Sequence, residues 1–517
     1  MMIWQMIKKE VLTKILDFRF LISSMIGLCL IVLTTVILSR QYVKQRDQYD
    51  EFVNSDRGAL NDVKAFSELR LNAHRPPTPL SIFNKGLSNQ VDNTMRIRHP
   101  WVPRQGLETR SENPFMSIFE FFDLTTVFQI VLSLLAILLV YDAVSGEREE
   151  GTLKAILSNS VARYQILASK FASSMIGLAL SLLISLIISF LIMMLGFGIT
   201  FNLHQWTRIG LMLLATFIFL GFFVSAGLLV SSLVKQSSIT LIWLLFLWVV
   251  SVIIQPNIGT YLSSIVVSIP PRERIESAED QVWQELEKER QRIEQEVQEE
   301  VPGDPWHSDQ GGGWPYYYCY EGNRVGLYRY VLRTQRIQPL IVDQAEKEWR
   351  IYQGEYHAHL NRQLSYQTLF DKLSPAAIYH RITASIAQTA IQDHEDFIDQ
   401  ARQYRRSYLS YLMDERKVFS ENANLYFTQQ TMKQIRNSDF DERRRKQREG
   451  VEGIVFYSRD YFGPLDLTGL PQFRFQPMSL SRSILNILPD AAILVCLMVV
   501  LFFLCSIAFN RYDVRSN

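Results

Sequence analysis

Between two long apolar runs lies "YDAVSGEREEGTLKAILSNS", from Tyr141 to Ser160. It sets Asp142, Glu147, Arg148, Glu149 and Glu150 in one short stretch, followed by Gly151, Thr152 and Leu153. What these charged groups offer is ion pairs and charge-assisted hydrogen bonds to a partner. A charged, helix-forming segment joined at both ends to apolar runs is suited to receive force from another protein.

Other reactive residue types give weaker readings. His357 and His359 flank Ala358. Two such histidines share a face on a strand but diverge on a helix, and this stretch reads helical, so a surface role outweighs metal binding. Glu294, Glu296, Glu299 and Glu300 read as a solvated helix face. Cys319, set among Tyr316, Tyr317, Tyr318 and Tyr320, has no basic neighbour and reads as a packed thiol. The sequence holds no G-x-x-x-x-G-K-[ST], H-E-x-x-H or G-x-S-x-G. No catalytic residue, metal ligand or cofactor site is assigned to this chain.

The elements around the charged segment are apolar. The chain has 517 residues, 48% hydrophobic and 20% charged, and the two populations are segregated. Six stretches, 21–40, 124–141, 171–197, 209–234, 239–268 and 488–510, are near or beyond the ~20 residues needed to span a hydrocarbon core. The fold class expected is an all-α polytopic membrane protein with six transmembrane helices. Lys8, Lys9, Lys14 and Arg19 precede the first stretch; Lys154, Arg163 and Lys170 follow the second; Arg511 and Arg515 follow the last. This bias puts both termini, the segment 142–170 and the tail 511–517 in the cytoplasm. Segments 41–123 and 269–487 then face outward, the first Pro-broken and smaller, the second a mostly helical extracytoplasmic domain between helices 5 and 6. The absence of an N-x-[ST] acceptor fits a bacterial inner membrane.

Finer patterns complete the expectation. Residues 1–20 form an amphipathic helix at the lipid interface, with Trp4, Ile7, Val11 and Ile15 on one side and Lys8, Lys9, Glu10 and Lys14 on the other. Ser173, Gly177, Ser181, Ser185 and Ser189 make a small-residue ridge for helix packing or for lining a pathway. Pro256 breaks the fifth stretch, whose end reads as re-entrant. Phe397, Ala401, Tyr404, Tyr408, Tyr411, Glu415 and Val418 form a heptad seam. It is expected to pack with the acidic helix 276–300 as an antiparallel stalk. Ser374 before Pro375 marks a helix start. A net charge of +1 leaves no basic surplus for nucleic acid. The span interiors lack the ionisable residues of ion-driven carriers, so energy is expected to enter from outside the membrane.

The segment "SGEREEGTLKAILSNSVARYQILASK" (145–170) resembles the acidic, then G-T-L, then leucine-rich pattern of ABC-2-type ABC transporter permeases. "PPTPLSIFNKG" (76–86), "LSPAAIYHRITASIAQTAI" (373–391) and "LPDAAILVCLMVVLFFLCSIAFNRYDVR" (488–515) resemble the subgroup with a large extracytoplasmic insertion. The resemblance implies that Glu147, Arg148, Glu149, Glu150, Gly151, Thr152 and Leu153 form a coupling helix. That helix docks in a groove of a cytoplasmic ABC ATPase subunit, with Arg163 and Lys170 on the return to the membrane. Ser160 stands where many members have Pro. The resemblance further implies that this chain is no enzyme and that ATP and magnesium bind the partner subunit. A second permease subunit, identical or paralogous, completes a dimer whose work is export. An alternative is a mechanotransmitter that drives a periplasmic or envelope protein without moving a substrate. A receptor or scaffold with no ATPase is the remaining rival.

Overall fold

The computed structural model describes residues 2–86, 93–97, 99, 102–103, 123–153, 162–301, 324–418 and 464–511. Lys154, Cys319, the loop 304–323 and the charge run 441–450 lie outside the described residues.

Helix α1 (Met2–Ile15) is followed by Asp17, whose side chain accepts from the N–H of Arg19 at 3.0 Å and so caps α2 (Phe18–Leu60). At 43 residues α2 is roughly 65 Å long, about twice a hydrocarbon core. It therefore runs on through about the first quarter of the segment 41–123 expected as an insertion. His74 Nε2 and Asp56 Oδ2, 2.6 Å apart, tie its far end to strand β1 (Leu71–His74). Strand β1 pairs antiparallel with β2 (Thr94–Ile97), Leu71 opposite Ile97.

Four more helices are long and apolar enough to cross a membrane: α5 (Arg163–Gly196), α6 (Leu203–Leu233), α7 (Ser237–Val266) and α13 (Leu480–Asn510). With α2 that makes five among the described residues. The sixth expected stretch, 124–141, folds as the shorter apolar helix α3 (Leu124–Leu138), and its last residues turn toward α4 (Ser145–Glu149). Asp123 caps α3 by accepting from the N–H of Thr126 at 2.7 Å. Leu132, Leu135, Ala136 and Ile137 of α3 are buried in the bundle core.

Pro256 does not break α7. The helix widens into a π segment over Val249–Ile254 and continues helical to Val266, in place of the expected re-entrant piece. A π turn accommodates a residue that cannot donate to the usual carbonyl.

Beyond α7 come α8 (Arg272–Glu300), α9 (Arg324–Tyr352), α10 (Ala358–Asp371), α11 (Pro375–Ala387) and α12 (Ile391–Ser410). The acidic helix α8 pairs with α9, not with the heptad seam. Arg336 meets Glu300 at one end (2.5 Å) and Arg274 meets Glu355 at the other (3.5 Å), so the pair is antiparallel. Ile293 and Val297 of α8 pack on Leu332 and Ile337 of α9. The seam residues Phe397, Ala401, Tyr404, Tyr408 and Tyr411 are buried against Leu71, Ala73, Met95 and Ile97 of the small sheet.

Helix α11 starts as expected, with Ser374 Oγ accepting from the N–H of Ala377 at 3.1 Å and Pro375 in the first turn. Its setting is unexpected. Ile378, Tyr379, Ile382 and Ile386 belong to the same core as the apolar helices. The Tyr379 ring stacks on Phe219 of α6 with centroids 4.5 Å apart, and its hydroxyl lies 2.9 Å from Thr216 Oγ1.

Candidate functional site: the charged segment and its anchorage

Helix α4 begins where the Ser231 hydroxyl of α6 accepts from the backbone N–H groups of Val144 and Ser145, each at 3.0 Å. Ser145 Oγ donates back to Tyr141 O at 3.0 Å. Gly151, with φ +76°, ends the helix in the left-handed region that glycine enters freely.

Each charged side chain then takes a different direction. Glu147 turns inward and meets Lys170 Nζ of α5 at 2.6 Å; Lys170 also meets Glu10 of α1 at 3.2 Å. Burial raises the Glu147 carboxyl from its ordinary range, against the opposing pull of Lys170. Arg148 donates to the carbonyls of Ser232 (3.2 Å) and Val234 (3.3 Å) at the C-terminal end of α6. Glu149 accepts from both the N–H (3.1 Å) and the hydroxyl (2.8 Å) of Ser237, the first residue of α7. A carboxylate there serves as a helix N-terminal cap. Leu153 is buried, while Glu150, Gly151 and Thr152 are exposed. The segment is thus bonded to α5, α6 and α7, and among the described residues its exposed run is Glu149 to Thr152, of which Glu149 is engaged with Ser237.

Helix α1 reinforces this end of the bundle. Lys14, read from sequence as facing away from the apolar side, donates instead to Ser173 (3.2 Å) and Ser174 (2.6 Å) of α5. Burial lowers its ammonium to about 8, with Glu10 opposing. Trp4, Leu12 and Leu16 remain exposed on the outer side.

These anchored charges sit in a chain whose residues 4–514 match the sequence model of the ABC-2 family transporter protein family. The chain belongs to the ABC-2 transporter family. No curated protein matches it.

In this ABC-2 permease, the residues Glu147, Arg148, Glu149 and Leu153 act as fasteners within the chain, a division that charge and spacing alone do not reveal. Arg163 closes the end of α13 by donating to Phe509 O (3.2 Å) and Asn510 O (2.7 Å). Sequence reasoning missed Ser231 and Ser237, which carry no charge and sit at the ends of apolar runs. The only available signal was the Ser pairs 231–232 and 237–238 bracketing the turn at Lys235.

The permease's small-residue ridge is filled by its own helices. Ser173 receives Lys14, Gly177 lies against Phe20 and Leu139, Ser181 bonds Ser24, and Ser189 accepts from Thr35 at 3.0 Å. Close approach of α1 and α2 to α5 is therefore what the ridge provides. His357 packs its ring against Trp349 at 5.7 Å, while the described residues contain no group of three metal-ligating side chains.

Proposed function

We propose that this chain is the membrane-spanning subunit of an ABC-2 transporter and that Glu150, Gly151 and Thr152 form the face on which a cytoplasmic ATPase subunit docks. The observation that carries the reading is the bonding of α4 to three neighbours. Through Glu147 it holds α5, through Arg148 and Ser231 it holds α6, and through Glu149 it holds α7. A push on the exposed face then moves three apolar helices as one body, the kind of rigid-body response a transporter uses. ATP and magnesium belong on the partner. The sequence holds no phosphate-loop motif of its own.

In this reading the membrane is the bacterial inner membrane, with both termini and α4 on the cytoplasmic side. Six passes result if α3 and its following turn count as one. Two permease subunits, identical or paralogous, flank two ATPases. The stroke serves export or work on an envelope partner. The insertion of α11 into the bundle core favours the mechanical version, because the segment beyond the membrane is fastened to the moving helices.

Purification of the chain with its cellular partners tests the reading. An ATP-hydrolysing subunit co-elutes with the wild type. Glu150→Lys, which reverses a charge in the exposed face and breaks no bond to α5, α6 or α7, releases it. Retention of the ATPase by E150K together with a Thr152→Arg change would refute the docking assignment.

A further inference from the structure

Pro256 creates a vacancy that another part of the chain fills. In the π segment of α7 the N–H of Gln255 donates five residues back, to Val250 O. One step on in the same register, the acceptor is Ser251 O and its donor is residue 256. That residue is proline, which has no N–H. A buried carbonyl left in this way is costly unless another donor arrives. The donor is Ser374: its hydroxyl, fully buried, lies 2.8 Å from Ser251 O. Ser374 Oγ also accepts from the N–H of Ala377 at 3.1 Å and so starts α11. One hydroxyl therefore completes two helices, α7 and α11, through residues 123 positions apart in sequence.

The two helices lead in opposite directions. The first residue of α7 is held by Glu149 of α4. The far end of α11 is held by guanidinium groups that donate to its last carbonyls: Arg208 to Ile386 O at 2.9 Å and Arg75 to Gln388 O at 2.6 Å. An ion pair from Arg381 to Asp490 fastens α11 to α13. Gln388 adopts φ +62° and leads directly into α12 and the small sheet packed on it.

We propose that Ser374 is a transmission residue: it hands a displacement of α7 to α11 and so to the α12 module. The proposal rests on the reading that a partner ATPase drives α4. Displacement of α7 without α11 would strip Ser251 O of its donor in a buried site, so the two helices move together or the bond breaks. Pro256 enforces this, because it removes the backbone donor that would otherwise compete for Ser251 O.

Hydrogen–deuterium exchange on the intact permease–ATPase assembly, with and without nucleotide, tests it. In the wild type, exchange changes with nucleotide at 145–153 and also at 375–387. Ser374→Gly removes the hydroxyl while glycine still serves as a helix cap. This variant keeps the change at 145–153 and loses about fivefold or more of the change at 375–387. Ser374→Thr, which keeps a hydroxyl, restores it. Pro256→Ala supplies a backbone donor for Ser251 O without touching α11, and weakens the response at 375–387 in the same way. If S374G and P256A both respond like the wild type at 375–387 while 145–153 responds normally, the transmission role is overturned and the docking reading stands. If 145–153 does not respond in the wild-type assembly, the docking reading falls and the relay with it.

Discussion

Glu149 and Ser237 share two hydrogen bonds, one to the backbone N–H at 3.1 Å and one to the hydroxyl at 2.8 Å. A residue between the second and third apolar stretches thereby caps the helix of the fifth. This relationship makes the charged segment part of the bundle and not a loop hung from it. Neutralising the carboxylate with Glu149→Gln is expected to keep one acceptor and lose the charge at a helix N-terminus. A loss of about 0.5–1 kcal/mol in stability follows. The ATPase stays bound, since Glu149 is turned toward Ser237. Thermal unfolding of the detergent-solubilised protein measures the first, co-elution the second.

Tyr379 is expected to be the costliest aromatic residue outside the apolar helices. It is fully buried, stacked on Phe219 and bonded to Thr216. Tyr379→Phe loses one hydrogen bond and leaves the Thr216 hydroxyl to its own helix, at about 1 kcal/mol. Tyr379→Ala opens a cavity between α6 and α11 and costs about 3–5 kcal/mol. A melt in which Y379A matched Y379F would show that α11 is not packed in the core.

Gly86 lies at φ +47°, and a Cβ there would come 2.2 Å from Thr389 O. Both the backbone conformation and the space exclude a side chain, and the clash is with backbone, which cannot swing aside. Gly86→Ala is expected to destabilise by more than about 2 kcal/mol and to loosen the first insertion from the α11–α12 junction. Limited proteolysis near residues 70–86, compared with the wild type, reads this directly.

Asp393 and His394 are adjacent and titrate with opposite signs. Burial raises the Asp393 carboxyl to about 6, against the pull of Arg75 and Arg208. Between about 4 and 6 the folded chain holds a proton that the unfolded chain has released, so stability falls as pH rises through this window. Burial, aided by the charge of Arg75, lowers His394 to about 4. Between about 4 and 6.5 the unfolded chain takes a proton that the folded chain refuses, so stability rises with pH. The two contributions offset each other, each on the order of 3 kcal/mol across the window. Asp393→Asn is expected to uncover a melting temperature that climbs from pH 4 to 6.5. His394→Gln uncovers one that declines. Identical slopes in both variants would contradict this account.

The apolar helices were legible because hydrophobic length is a direct physical requirement of a bilayer. The Ser374–Pro375 helix start was legible for a similar reason, since cap chemistry is local. Partnership was not. The heptad seam at Phe397 to Tyr411 has the right period, but period does not say whether a helix or a sheet lies opposite, and here Leu71 and Ile97 do. Pro256 reads as a break because a lone sequence does not show that Ser374, 118 positions later, sits ready to meet the carbonyl it strands. In the charged segment, composition identified the element, while the choice of which carboxylates face inward depends on Lys170 and Ser237, fixed only by the packed bundle. Glu10 and Lys14 illustrate the same limit: their face of α1 looks solvent-ready in sequence, yet both meet residues of α5.

The central claim is that Glu150, Gly151 and Thr152 touch an ATP-hydrolysing protein on the cytoplasmic side. A photo-crosslinking residue placed at position 152, activated in intact membranes, measures it most directly. The account predicts one dominant adduct whose partner carries a nucleotide-binding phosphate loop, and its disappearance in the E150K background. An adduct with lipid or with this chain alone, or labelling of position 152 from outside the cell, would contradict it.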